Sequence, residues 1–548
     1  MSNNVDLLIV GAGPTGLMLA SEAASYGLSC RIIDRTQSPY KDTSRAVGIQ
    51  SRTLEIFDKM GIVDSFLREG LKVVAANQIS NFKRLSRIPL SAIDSSYPFV
   101  LSVEQAKTEE ILTDHAASLG VQVERSVECK QITQNEKSVQ AALYHLDSKE
   151  EETITASWLV GCDGAHSIIR KLIGLSFKGR SFSDIFSLAD VHVHWEYPHN
   201  EVAAFLNPKG VLAAIPLPEK DRYRLVFQLL RCRNLLKNNR SLTYGQVGSD
   251  VIAEPTLEEV ESLLKEYAGS HVSVTDPRWM ANFHINSRMA TTYRKDRVFL
   301  AGDAAHIHSP IGAQGMNTGL QDAYNLAWKL SLVQNGTAHA ALLDTYNTER
   351  HAVGRTILRN TERASFMATL RNPLAVGIRN HILSFFVKIA FFRKRVAQGI
   401  SQTMIRYPKS ILCEERNPFS KGPKAGVRAP NAPVMVHGGV MKDLYTIWRK
   451  AKNFQILFFT GPENGDLSHI AERFRSPFVM PIIISYSQNE GDGGILNCPD
   501  SEGKAHKIYG AKSGCVYVIR PDGYIGYRSH KIDEADIKKY FQGILRTI

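Results

Sequence analysis

Cysteine is scarce in this chain, with seven among 548 residues, and no two stand at Cys-x-x-Cys spacing. An odd, scattered set excludes a disulfide framework or a cysteine-built zinc site and points to a reducing, cytoplasmic setting. Long apolar runs are missing too, and none is long enough to span a bilayer. The nearest, "HILSFFVKIAFFRKR" (381–395), is short, apolar and flanked by basic residues. Such a segment can lie on a membrane surface; the reading adopted is a partly buried helix, and no integral membrane segment is expected. The apolar run Leu7 to Val10 has no basic region before it and flows into a glycine turn, so it is not read as a signal peptide. Internal repeats and low-complexity tracts are also absent. Acidic residues are in deficit, 54 against 66 Lys and Arg, for a net charge of +12. No basic block stands beside an aromatic platform, which argues against nucleic acid and for a basic surface that attracts anionic cofactors and substrates.

What is present is ordinary globular composition, 43% hydrophobic and 22% charged. The length allows several domains. Residues 1–177 read as the first part of a nucleotide-binding domain, with an excursion near 72–102 into a second domain. Residues 178–290 change to several short strands separated by turns, as expected of an inserted antiparallel sheet. Residues 291–416 return to the first domain and become helical. The Pro-, Gly- and Lys-rich segment 417–433 reads as a linker, and 434–548 as a small α/β domain.

Three stretches carry chemistry. "GAGPTG" supplies Gly11, Gly13 and Gly16 after the strand "VDLLIV" and before a helix that Gly27 stops. Glycines at this spacing permit a tight turn and let backbone approach a pyrophosphate at a helix N-terminus. Asp34 ends the next strand, where a carboxylate can accept from ribose hydroxyls. In "LVGCDGAHSIIRKLIG" (159–174), a strand ends at Asp163-Gly164 and a helix begins near Ser167 and carries Arg170. This Asp can cap the helix, and the Arg can meet a phosphate or pair with the Asp. In "RVFLAGDAAHIHSPIGAQGMNTGLQDAYNLAWKL" (297–330), a strand runs into Asp303, and Pro310, Gly312 and Gly315 shape a loop. An amphipathic segment follows from about Asn317, with Leu320, Ala323, Ala327 and Leu330 facing inward. Free amides around Met316 and Asn317 suit a flat ring with a carbonyl or anionic nitrogen. His306 and His308 lack carboxylate or thiolate partners nearby, so no metal is assigned; loop packing is preferred for His308.

Together the three stretches resemble the class A FAD-dependent aromatic hydroxylases, in the phenol hydroxylase and polyketide hydroxylase branch. "SRAVGIQSRTLEIF" (44–57) and "VEQAKTEEIL" (103–112) match as well, so the resemblance covers nearly the whole chain. It implies an α/β fold: a Rossmann-like FAD-binding domain, an inserted antiparallel-sheet substrate domain, and a C-terminal thioredoxin-like domain, here without its CxxC. It implies FAD contacts from Gly11, Gly13, Pro14, Thr15, Gly16, Asp34, Arg35, Arg45, Gln105, Asp163, Gly302, Asp303, Pro310, Gly312, Gly315, Met316 and Asn317. Ala313 stands where the family usually has a second glycine. NAD(P)H is expected to dock transiently near Arg45 and Arg170, since no second Gly-rich unit holds a nicotinamide; FAD phosphate binding alone is the alternative for those arginines.

The implied reaction uses NAD(P)H and O₂ to hydroxylate a small aromatic substrate through a flavin C4a-hydroperoxide. Tyr223, His192 and His194 could supply a base on the inserted sheet, but each reads better as a plain sheet residue, and no catalytic side chain is assigned. Alternatives are an epoxidase, a Baeyer-Villiger-type monooxygenase, or a flavin-binding scaffold. A flavin-dependent halogenase is disfavoured, because none of the five tryptophans sits in a W-x-W-x-I-P motif. A homodimer through the C-terminal domain is an open expectation.

Overall fold

The computed structural model describes residues 4–39, 46–207, 210–229, 254–309, 312–368, 370, 372–436, 439–462, 465–486 and 495–546. Its first sheet is built on parallel strands in the order Val298–Leu300, Glu151–Gly161, Asn4–Val10, Cys30–Ile33 and Val123–Glu124. Leu7, Leu8 and Ile9 are fully buried in succession, as a parallel strand covered on both faces requires. The helix Pro14–Ser25 packs between the helices Gln105–Ser118 and Gly315–Gln334. The antiparallel pair Val127–Gln134 and Val139–His145 extends the sheet, as expected from the sequence.

The second sheet differs from the expected set of short strands. "DIFSLADVHVHW" falls largely within one 18-residue strand, Phe177–His194, paired antiparallel with the 18-residue strand Ser273–Ala290. Register shifts between Ser181 and Ile185 and between Asp190 and His192 let the pair bend without ending. The sheet is not purely antiparallel, because Glu201–Asn207 pairs in parallel with Ala75–Ser80. The helix Leu257–Ala268, which the sequence reading passed over, covers one face. It starts in a Thr256/Glu259 capping box and buries Val260, Leu264 and Tyr267 against Ala203, Phe205, Leu212, Tyr223 and Leu225.

The C-terminal sheet runs Glu414–Arg416, Ile525–Ser529, Cys515–Ile519, Phe454–Phe459, Val479–Ser485, Leu496–Pro499. The 417–433 segment is held down along its length. Gly426 N–H donates to Ile525 O, Ala429 and Ala432 are buried, and Arg428 pairs with Glu55 at 2.5 Å.

Two helical expectations are corrected. The helix after the third motif begins at Gly315 and is buried on every side from Asn317 to Leu332, so it is not amphipathic. Its second side is covered by the C-terminal core, where Trp328 meets Phe454 edge-on at 5.8 Å. Residues 381–395 do not form one partly buried helix. They span Pro373–Lys388 and Ala390–Ile400, bent by 103°, with most of their large apolar side chains exposed. No single described helix is long and apolar enough to cross a membrane.

Candidate active site

The parallel strands of the first sheet end level. Val10 lies opposite both Gly161 and Ile33, and Gly161 lies opposite Leu300. Residues separated by up to some 290 positions thereby emerge at one edge: the 11–16 turn, Asp34, the 162–167 turn and the 302–304 turn. Open α/β sheets bind ligands at this carboxyl edge.

The glycines of the first turn play two roles. A Cβ on Gly11 would lie 2.5 Å from Cys162 O, and one on Gly16 would lie 1.9 Å from Gly11 O, so these two let the loops touch. Gly13 has an ordinary φ of −76°, and a Cβ there would meet nothing within 4 Å. Gly13 is itself the N-cap of the helix Pro14–Ser25, so the space beside it is an open cradle at a helix start whose first amides no side chain caps. Thr15 fits against Gly302 and Gly319, whose Cβ atoms would come within 2.5 and 2.4 Å of its Oγ1. The Asp34 carboxylate accepts from Ala12 N–H at 2.7 Å and from the Thr36 N–H and hydroxyl at 2.8 and 2.6 Å. A carboxylate has lone pairs left for a ribose. Arg35 beside it is exposed. Gln105 accepts from Ala46 N–H at 3.2 Å and donates to Glu109 at 2.8 Å. Arg45 and Pro310 lie outside the described residues.

Asp163 caps the helix Ile168–Leu172, accepting from the Ser167 hydroxyl at 2.5 Å and the Ile168 and Ile169 amides at 2.6 and 3.1 Å. Burial raises its pKa, and these donors offset only part of that. Arg170 is buried and lies 3.8 Å over the Phe177 ring. It donates to Ala304 O at 2.8 Å and Ala165 O at 2.9 Å. It thus stitches the second motif to the third through carbonyls.

In the third motif Gly302 has a φ of 61°, its N–H donates to Asp322 at 3.1 Å, and half-buried Asp303 sits on the same turn. Gly312 (φ 83°) and Ala313 (φ 51°) are both left-handed. The Cβ of Ala313 costs about 1 kcal/mol there, which explains why a glycine is the commoner choice. The Asn317 side chain donates to Gly48 O at 2.7 Å and Ala313 O at 2.9 Å and accepts from Gln50 N–H at 2.9 Å. Gln50 Nε2 in turn donates to Gly312 O at 3.0 Å. The turn before Gly315 is thereby clamped to residues 48–50, and half-buried Met316 packs at the helix start. His308 Nδ1 bonds Ser309 O at 2.9 Å, which fixes Nδ1 as the donor and leaves Nε2 a lone-pair acceptor. Nε2 is buried without a partner, and a Cβ on Gly315 would lie 3.9 Å from it. Burial pulls the His308 pKa down to about 4, so the ring is neutral.

Behind the loops lies a layer that motif reading missed. Asp322 accepts from His306 Nε2 at 2.7 Å and from Arg350 Nε at 2.6 Å, besides Gly302 N–H. Burial works to raise its pKa, but Arg350 and His306 outweigh that and hold it below the usual range. Next along the chain, Glu349 pairs with Lys329 at 2.8 Å and Arg520 at 2.6 Å, and Arg520 also pairs with Asp522 at 2.5 Å. Asp322, Asn325 and Lys329, spaced three and four apart on one side of the helix, were the available signal.

Tyr223 is buried under the helix Leu257–Ala268. His192 and His194 stand at the opposite end of their strand from Lys178, which shares a register with Met289 and, through it, His306. His192, Glu219 and Asp276 approach one another closely enough to hold a cation. Arg222 and Arg278 already neutralise Glu219, at 3.1 and 2.5 Å.

Comparison with known proteins agrees with this geometry. A family described as FAD binding domain matches residues 4–361, and one described as phenol hydroxylase C-terminal dimerisation domain matches 491–547. The chain is 32% identical over 533 residues to the 6-methylpretetramide 4-monooxygenase of Streptomyces rimosus, covering 96% of this chain and 91% of that one. It is 28% identical over 554 residues to the pentachlorophenol 4-monooxygenase of Sphingobium chlorophenolicum, covering 98% and 96%. Among solved structures, the anhydrotetracycline hydroxylase of Streptomyces rimosus superposes with a TM-score of 0.74 at 29% identity, covering 99% of each chain.

Proposed function

Since the chain belongs to the FAD-binding family of aromatic-compound monooxygenases, we propose that it hydroxylates an electron-rich aromatic substrate of the phenolic or polyketide class, using NAD(P)H and O₂. The observation that carries the reading is the level ending of the parallel strands, which gathers three distant loops into one cradle. The residues fit FAD: the open face of Gly13 leaves room for a phosphate group, and the unpaired His308 Nε2 marks a second open polar position on the helix Gly315–Gln334 side.

In this reading the Pro14–Ser25 amides and Gly13 hold the pyrophosphate, Asp34 takes the ribose, and the clamped 312–317 turn meets the flavin ring. The chemistry FAD supplies when bound is acceptance of a hydride from the nicotinamide and transfer of one oxygen atom from O₂ to the substrate. The protein contributes position, field and dryness. The helix N-terminus beyond Gly315 stabilises negative charge on a neighbouring ring by up to ~2 kcal/mol. His308, neutral and oriented by Ser309, accepts a hydrogen bond at Nε2.

The substrate lies on the face of the second sheet that the helix Leu257–Ala268 leaves uncovered. There Ala204, Ala213, Val226, Leu188 and Ala281 form one cross-strand row of small or aliphatic side chains. Ala204, Ala213 and Val226 remain half-buried. A flat ring system suits such a row, and the charges on the next rung of the same face, Arg224 and Asp190, are paired with each other at 2.5 Å. A homodimer through residues 491–547 accompanies this reading.

The test is a screen of phenols and polyketides for stimulated NAD(P)H oxidation by the FAD-loaded protein, with peroxide and hydroxylated product both quantified. Substrate-dependent consumption matched by product is expected. Protein that cannot be reconstituted with FAD, or consumption that yields peroxide alone with every substrate, defeats the proposal.

A further inference from the structure

The net charge of the chain is unevenly placed. Nine lysines and arginines stand between Glu362 and Glu414, with no Asp or Glu among them. This stretch contains the bent pair Pro373–Lys388 and Ala390–Ile400, and the first helix is inverted relative to an ordinary surface helix. Its inner side carries Arg379, which is 3% exposed and donates to Met367 O at 3.0 Å and Ala368 O at 3.3 Å. Its outer stripe, at helical spacing, is Leu374, Ile378, Ile382 and Phe385, exposed by 79, 62, 50 and 64%. On the second helix Phe391 is exposed by 74%, with exposed Lys394 and Arg395 one turn further along. The neighbouring hairpin turn adds exposed Phe82 with Lys83 and Arg84, and Asn380 ties it to the helix through Ser80 Oγ at 3.3 Å.

We propose that this face docks on an anionic lipid bilayer, with the aromatic and aliphatic stripe in the headgroup–acyl boundary and the cations against lipid phosphates. An apolar stripe rimmed by basic residues is the pattern of an interfacial helix, and a wholly basic segment complements a negative surface. A second copy of the chain fits poorly, because an isologous contact here sets basic face against basic face. The family match for dimerisation, moreover, lies at residues 491–547. Nucleic acid offers phosphates but no partner for an aliphatic stripe. The proposal is independent of the reaction.

The experiment is flotation of the FAD-loaded full chain with phosphatidylcholine vesicles, with and without phosphatidylglycerol, at low and high salt. Co-flotation is expected with phosphatidylglycerol only, and salt weakens it. Lys394→Gln with Arg395→Gln lowers partitioning about 25-fold, and Phe385→Ser or Phe391→Ser about tenfold each. These side chains are exposed, so the variants keep flavin absorbance and mass. No co-flotation with anionic vesicles, or binding that survives both kinds of variant, overturns the proposal. A dimer by light scattering that Phe391→Ser dissociates assigns the face to a second copy and overturns it equally.

Discussion

Neutralising Glu349 gives the sharpest test of how the buried charges work. Its carboxylate is fully buried and accepts from Lys329 at 2.8 Å, Asn325 at 2.8 Å, Arg520 at 2.6 and 2.9 Å, and Ser410 at 2.6 Å. Burial acts to raise its pKa, but Arg520 and Lys329 outweigh that and hold it below the usual carboxylate range. Its stabilisation is therefore complete above the unfolded pKa and lost only as pH falls through the lower folded value. With Asp522 the cluster holds two negative and two positive groups. Glu349→Gln keeps the shape but leaves one positive charge uncompensated, at a cost of up to about 3–5 kcal/mol for one member of a buried pair; burial already lowers the Lys329 pKa to about 8, so the cost is full below neutral pH and shrinks as Lys329 sheds its proton. Lys329→Met leaves the opposite excess. The double variant retains the neutral Arg520–Asp522 pair, so it is expected to be more stable than the sum of the singles by about 2 kcal/mol. Urea unfolding of the FAD-loaded protein, followed by tryptophan fluorescence and by flavin release, measures all three. Additivity to within about 0.5 kcal/mol refutes the charge-balance argument.

Gly13→Ala is expected to leave the apoprotein fold intact, because its Cβ meets nothing within 4 Å, yet to weaken FAD binding; Gly16→Ala, with a Cβ 1.9 Å from Gly11 O, disrupts folding itself. Thermal unfolding of the apoproteins beside FAD titration distinguishes the two, and a Gly13→Ala protein that binds FAD normally removes the cradle from the site. Asp322→Asn puts an amide beside donors from Gly302, His306 and Arg350; at about 1–3 kcal/mol for an unmet buried donor, the Gly302 turn is no longer held in place and FAD affinity falls by roughly 5- to 150-fold. Fluorescence titration of the apoprotein reads this, and an unchanged affinity refutes it. Burial lowers the His308 pKa from 6.5 to about 4, so the unfolded chain binds the extra proton between those values. Wild-type stability should then fall by about 3 kcal/mol more than that of His308→Gln as pH drops through that window. Parallel slopes in urea titrations at successive pH values defeat the assignment.

The cradle was legible in the sequence because glycine spacing is a direct record of backbone contact. Gly11, Gly16 and Gly302 sit where any Cβ would collide, and Asp34 and Asp163 follow strands that end level. The inserted sheet was legible as β structure but not in its lengths, since two register shifts let single strands run on where local turn residues suggested an end. The helix Leu257–Ala268 announced itself through the Thr256/Glu259 pair and through Val260, Leu264 and Tyr267 at i, i+4, i+7 spacing, a local signal that the strand-rich surroundings obscured. The helix Gly315–Gln334 was misjudged for a different reason. Asp322, Asn325 and Lys329 look solvent-facing until Arg350, Glu349 and Arg520 arrive from elsewhere in the chain. The charge partners of a buried polar stripe belong to tertiary structure, and no local window contains them. Arg170 likewise resembles a phosphate ligand in sequence, while the structure commits its guanidinium to two carbonyls.

The turn that places Glu349 and Arg350 side by side has an implication for anyone recombining these enzymes. Glu349 reaches toward the C-terminal unit through Arg520, while Arg350 reaches the Gly302 turn through Asp322. A chimera that exchanges the last hundred or so residues, or a truncation that deletes them, withdraws Arg520 from a carboxylate it cannot resolvate. Shuffling boundaries should therefore keep Lys329, Glu349, Arg520 and Asp522 of common parentage, however far apart they lie in the gene.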